Sequence, residues 1–113
     1  MKRNHPDIPD LEVYAVAQRL KWLVAKHLSA PADGGELRPD EVEVDVHERN
    51  HLDIAGKDIQ IVVFAHDYPS RKQNLEQRKD LMLEDLKGFI NSKYSVFLWI
   101  LLCPSAYGEF AAR

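Results

Sequence analysis

The chain has 113 residues and a mass of 13.0 kDa, enough for one domain and too little for two with separate cores. Hydrophobic residues make up 45% and charged residues 29%, a globular composition that argues against general disorder. The formal net charge of −3 disfavours a nucleic-acid binder, and a single cysteine, Cys103, excludes an internal disulfide framework and a cysteine metal site.

The start, Met1-Lys2-Arg3-Asn4-His5-Pro6-Asp7, is polar and lacks the apolar core of a signal peptide. Asn4, His5, Pro6, Asp7 and Pro9 oppose strand formation, so residues 1–9 are expected to form an irregular tail. Val13, Val16, Ala17, Leu20, Leu23, Val24 and Leu28 recur at spacings of three and four and predict a helix over residues 10–29. Asp7 or Asp10 is available to cap its start, and Lys26 and His27 suit its negative end. Ser29 to Gly35 reads as a loop.

Glu41-Val42-Glu43-Val44-Asp45-Val46-His47 alternates strictly and predicts a strand over 42–48, with the valines inward. A polar connection follows, with Ala55-Gly56-Lys57-Asp58 as its turn. Ile59 to His66 predicts an apolar strand that can pair with 42–48 as a long-looped hairpin. Asp67-Tyr68-Pro69-Ser70 ends it, with Ser70 as N-cap of a helix over 71–90 that buries Leu75, Met82, Leu83, Leu86, Phe89 and Ile90. The last strand spans 95–103 and stops at Pro104, which cannot donate to a ladder. Its run Val96 to Cys103 is the most apolar in the chain and far short of the ~20 residues of a membrane-spanning helix, so a cytoplasmic protein is expected, with no membrane partner.

Strand 59–66, helix 71–90 and strand 95–103 compose a βαβ unit whose strands should be parallel. Helix 10–29 and strand 42–48 look like a second such unit whose first strand is short or missing. The expected fold is therefore α/β (α+β), two helices on one face of a small mixed sheet, in a single domain. Two known folds have the order β-α-β-β-α-β, the ferredoxin-like fold and the tautomerase fold. Five pieces favour the second: Arg38-Pro39-Asp40-Glu41-Val42-Glu43-Val44, Ile59 to His66, Arg71 to Ile90, Val96 to Leu102, and the tail Ala106-Tyr107-Gly108-Glu109-Phe110. Over roughly residues 10–110 the chain resembles the tautomerases of macrophage migration inhibitory factor type, and the small bacterial tautomerase-fold proteins of unknown function.

That resemblance implies proton shuttling by an N-terminal proline on a 2-oxo acid or phenylpyruvate-like substrate, in a homotrimer whose three sheets enclose a channel. It implies no cofactor. The chain departs from it at the catalytic position, where Lys2 stands in place of proline; Pro6 and Pro9 are internal amides without useful basicity. Lys2 also has a long side chain, which hinders removal of Met1. On a mobile tail the Met1 amine would be unpositioned, so weak or no isomerase activity is expected. The alternative function is a catalytically silent oligomeric module that binds a protein partner.

His66 and Tyr68 end a strand that precedes a helix, a place where ligand contacts collect, and Arg71 opens that helix; together they can take a small carboxylate. Arg38 is a further candidate for such a ligand. His47 and His51, with Glu48 and Asp53 nearby, share the helical spacing of four but sit at a strand end, so no metal site is expected. Cys103 and His66 can be neighbours on parallel strands, but free cysteine at the end of an apolar strand is ordinarily structural. The basic residues Arg71, Lys72, Arg78 and Lys79 alternate with Glu76 and Asp80 as an ordinary charged helix face, with no nucleic acid as partner. Strand 95–103 is apolar on both faces, and two helices cover only one, so a homo-oligomer is expected.

Overall fold

The computed structural model describes residues 1–5, 7–50, 52, 56–104, 108 and 110–112. The chain runs β1 (Lys2–Arg3), α1 (Asp10–Leu28), β2 (His47–Glu48), β3 (Ile59–His66), α2 (Pro69–Gln73), α3 (Leu75–Lys87) and β4 (Val96–Cys103), with single turns of 3-10 helix at Pro31–Asp33 and Pro39–Glu41. The four strands form one mixed sheet in the order β2-β1-β3-β4. β1 and β2 are parallel, β3 and β4 are parallel, and β1 joins the two pairs antiparallel to β3. Each helix-connected pair lies side by side with no strand between, so neither βαβ unit is of the split kind that defines the ferredoxin-like order.

Alternation along β3 decides the two faces. Ile59, Ile61 and Val63 are buried, while Val62 and Phe64 are exposed. The inner row packs against Val16, Leu20, Leu23 and Val24 of α1 and Met82 and Leu86 of α3, which all belong to one core. Burial of whole Leu, Ile and Met side chains stabilises such a core by about 1.5–3 kcal/mol each.

Several expectations need correction. The irregular tail expected over residues 1–9 contains a strand. Lys2 and Arg3 form a central strand, paired with His47–Glu48 on one side and Ile59–Gln60 on the other. Asn4 is buried, with its amide N–H on Asp58 O at 2.8 Å and its Nδ2 on Lys57 O at 2.8 Å, and Ile8 is 1% exposed in the core. Tertiary pairing overrides weak local strand preference over so short a length. Because β1 lies between them, β2 and β3 do not form a hairpin.

The expected strand 42–48 shrinks to His47–Glu48. With Lys2 opposite His47, the parallel register runs out at Met1, so residues 42–45 have no ladder partner and Pro39–Glu41 turns as 3-10 helix instead. The helix over 71–90 begins earlier, at Pro69, and breaks at Asn74 into a one-turn α2 and a longer α3. Ser70 is thus inside the first turn rather than a cap; its N–H and hydroxyl both donate to Asp33 Oδ2, at 2.9 and 2.6 Å. At α1 the N-cap is Pro9, with no side-chain cap bond. The turn position Ala55, and Ala106, Tyr107 and Glu109 of the tail, lie outside the described residues.

Candidate functional site

The short length of β1 creates the site. β3 continues past the Lys2 end of β1, and the segment before β2 runs along the other side, so Val62 to His66 of β3 face residues 42–45 across a space where no strand of the described residues lies. Two strand spacings set that gap at about 9–10 Å. It is a cavity of about 780 Å³ floored by Leu20 and Val24 of α1 and rimmed by Gly35, Glu36 and Leu37.

Met1 stands at one end. Its ammonium donates to Asp45 O at 2.8 Å, and its carbonyl accepts the His47 amide at 2.9 Å. Burial pushes the pKa of this amine below its ordinary value of 8.0, while the Asp45 charge pulls weakly the other way. The amine is therefore held on the sheet, not carried on a mobile tail. Lys2 pairs with His47 on one side and Gln60 on the other, so these three residues line up across the sheet beside the amine, and all three line the cavity.

The other end is built by the strand–helix junction after β3. His66 and Tyr68 contact edge to face, with ring centroids 4.5 Å apart. The Arg71 guanidinium lies 4.9 Å from the Tyr68 ring centroid. Arg71 is only 3% exposed, and its N–H groups donate to Leu28 O, to His66 O at 3.0 Å and to Gly35 O at 3.3 Å. It ties the end of α1, the 30–35 loop and the end of β3 together, and three of its five N–H groups are committed to carbonyls. Burial lowers its pKa from the ordinary arginine value. Gly35 sits under Tyr68: a Cβ there would fall 2.4 Å from Tyr68 Cε2.

The structure thus brings His66, Tyr68 and Arg71 together on one cavity wall. It does not bring Arg38 there. Arg38 points to solvent and pairs with Glu41 at 3.2 Å and Asp40 at 3.6 Å. The Met1 amine and His66 are also separate, since five residues of strand between their levels span ~16 Å. A small acid reaches one end or the other, not both.

Compared with known proteins, the chain matches no family model, no curated protein and no solved structure.

Among the described residues no group of three or more His, Cys, Asp and Glu side chains is placed to hold a metal ion; His51 and Asp53 lie outside them. Cys103 and His66 do sit opposite each other in the β3–β4 register, but the thiol turns toward Leu101 O at 3.9 Å. No helix among the described residues is long and apolar enough to cross a membrane. Sequence reasoning missed Met1, Lys2 and Gln60 as site residues. One signal for them exists: a first βαβ unit needs its first strand, and only residues ahead of α1 can supply it.

Proposed function

We propose that the chain binds a small carboxylate of the 2-oxo acid type at the Met1 end of the cavity and slowly exchanges the proton on the carbon next to its carbonyl. The observation that carries this reading is the Met1 amine, fixed by Asp45 O at the cavity's end with its pKa lowered by burial. An amine whose pKa lies below its ordinary value gives up its proton more readily, and once unprotonated it can take a proton and return it. Lys2 and His47, level with it across the sheet, supply positive charge or hydrogen bonds for the carboxylate. The two adjacent parallel pairs joined antiparallel by β1, with α1 and α3 on one face, support the tautomerase-like reading of the fold. A primary amine in place of a proline amine fits slow turnover.

The assembly belongs to the same reading. Val62, Phe64, Trp99 and Leu101 are 42%, 71%, 54% and 39% exposed and lie together on the sheet face that no helix covers. Contiguous apolar surface of this kind is what subunits cover. A homotrimer in the cytoplasm is the form we propose, and a lone cysteine suits a reducing compartment. A second reading, a silent module that binds a protein partner, draws on the same face.

Titration with phenylpyruvate, followed by nuclear magnetic resonance and by ultraviolet loss of the enol, tests the proposal. Binding that shifts Lys2, His47 and Gln60 and is lost when one alanine is added ahead of Met1 is the expected result. Absence of binding to the full chain sinks the small-molecule reading and leaves the protein-partner one. For the assembly, Trp99→Glu should reduce the mass measured by light scattering.

A further inference from the structure

α1 carries a second apolar stripe, on the side away from the core. Leu11, Tyr14 and Trp22 are 80%, 62% and 64% exposed. At 100° per residue Leu11, Tyr14, Ala15, Gln18 and Trp22 fall within about a 100° arc, opposite the buried row Val13, Val16, Leu20 and Leu23. The stripe from Leu11 to Trp22 is about 16 Å long. Neither α3 nor the sheet reaches it, since both pack on the other side of α1.

The charges that border the stripe are not scattered. One border holds Glu12 and then Arg19; the other holds Asp10 and then Lys21. Acids come first and bases second on both borders, which gives each border the opposite sign at its two ends. Two identical helices laid antiparallel bring residues of the same border together. With the two-fold axis crossing the stripe between Ala15 and Gln18, Glu12 faces Arg19 of the second copy and Asp10 faces Lys21 of the second copy. The same register sets Leu11 against Trp22 of the second copy and Tyr14 against Gln18 of the second copy. All four pairings agree to within one residue about one axis. Asp10 keeps its contact with Arg3 through Oδ1, and its side chain is 92% exposed, so Oδ2 remains accessible. Arg19 lies 5.8 Å from the Phe89 ring centroid, which holds it at the border of the stripe.

We infer that this face of α1 is a self-docking surface, joining two copies of the chain antiparallel about a two-fold axis that crosses the stripe between Ala15 and Gln18. A parallel pairing sets acid against acid and base against base; a foreign partner or a lipid surface gives no reason for the two-fold match of charges. The contact lies across the molecule from the exposed sheet face, so it is independent of the assembly proposed there.

Light scattering and sedimentation of the full chain test it. Native protein should have twice the mass of Trp22→Glu if the α1 face alone assembles, and at least twice its mass if the sheet face assembles as well. Glu12→Lys and Arg19→Glu each set like charges opposite each other twice and should weaken the association at least tenfold. The variant with both changes should recover it. Most tellingly, the two single variants mixed together should associate although neither does so alone, because each supplies the charge the other lacks. Folding of these surface variants is checked by circular dichroism. Equal masses for native protein and Trp22→Glu overturn the inference. So does a mixture of the single variants that stays apart, the result expected if a foreign partner or a lipid surface covers the stripe.

Discussion

Arg3 and Glu48 face each other in register across β1 and β2 and are joined by two hydrogen bonds, Nε to Oε2 at 2.9 Å and Nη2 to Oε1 at 2.6 Å. The remaining arm of Arg3 donates to Ile8 O and to Asp10 Oδ1, both at 2.7 Å. One side chain thus fastens β1 to β2 and to the entry of α1. The paired carboxylates push the arginine pKa upward, which keeps the fork charged at any working pH. Arg3→Ala should release the first strand without unfolding the rest. Amide hydrogen exchange at Lys2, Arg3, His47 and Glu48 should accelerate, while exchange in β3 and β4 should not. Ligand binding at Met1 should weaken in parallel.

Arg71 gives a different expectation, because its partners are buried carbonyls rather than an exposed acid. Arg71→Met leaves Leu28 O, Gly35 O and His66 O with lost donors, and the cost should be about 2–4 kcal/mol. Arg71→Lys should not rescue it, since one ammonium cannot reach three separated carbonyls. Chemical denaturation of both variants checks this.

Gly35→Ala should separate the far wall of the cavity from the near end. The new methyl must displace the Tyr68 ring, which then leaves both His66 and Arg71. A loss of about 1–3 kcal/mol is expected. A carboxylate bound at Met1 should keep its affinity within about threefold, because about 16 Å of strand lies between. A larger loss, measured by calorimetry, would place the ligand beside Tyr68 instead.

Stability should fall in acid, through Asp85 in particular. Asp85 Oδ2 lies 2.6 Å from His27 Nε2 and 3.2 Å from Lys26 Nζ, which joins α3 to the end of α1. The hydrogen bond with His27 first, and that from Lys26 second, hold its carboxyl below the ordinary value of 3.8. A carboxyl whose folded pKa is depressed binds fewer protons folded than unfolded. Its stabilising contribution is therefore complete above the unfolded value and disappears as pH falls through the folded one. Asp33, through Ser70, and Asp58, through Ser95, are lowered too and add to the same trend. Melting temperature should drop steeply below about pH 4, and Asp85→Asn should flatten part of that slope.

The long elements were legible because their periodicity is long. The three-and-four spacing from Val13 to Leu28 and the apolar runs Ile59 to His66 and Val96 to Cys103 each persist for eight residues or more, and the structure places the helix and strands within a residue of the expected 10–29, 59–66 and 95–103. β1 was not legible. Two charged residues, Lys2 and Arg3, carry no alternation, and what makes them a strand is pairing with residues 45 and more positions away. The valines at 42–46 misled for the converse reason: a good strand pattern needs a neighbour, and the register with β1 ends before it reaches them. At the site, His66, Tyr68 and Arg71 were visible as a strand-to-helix junction. A guanidinium at a helix start suggests an anion ligand at Arg71, and nothing in the pattern shows that its N–H groups go to Leu28 O, Gly35 O and His66 O instead. The break at Asn74 has no proline or glycine to announce it.

The position of β1 also has a consequence for the order in which the molecule is completed. Lys2 is synthesised before both its partners, His47 and Gln60, which are 45 and 58 residues behind it. At synthesis rates of about 5–20 residues per second, its second neighbour follows about 3–12 s later. The strand made first is therefore placed late, slotted between two edges that must already exist. Until then the nascent chain exposes an unpaired β3 margin, and the Met1 amine reaches its seat only after the β3 partner of its strand has been made.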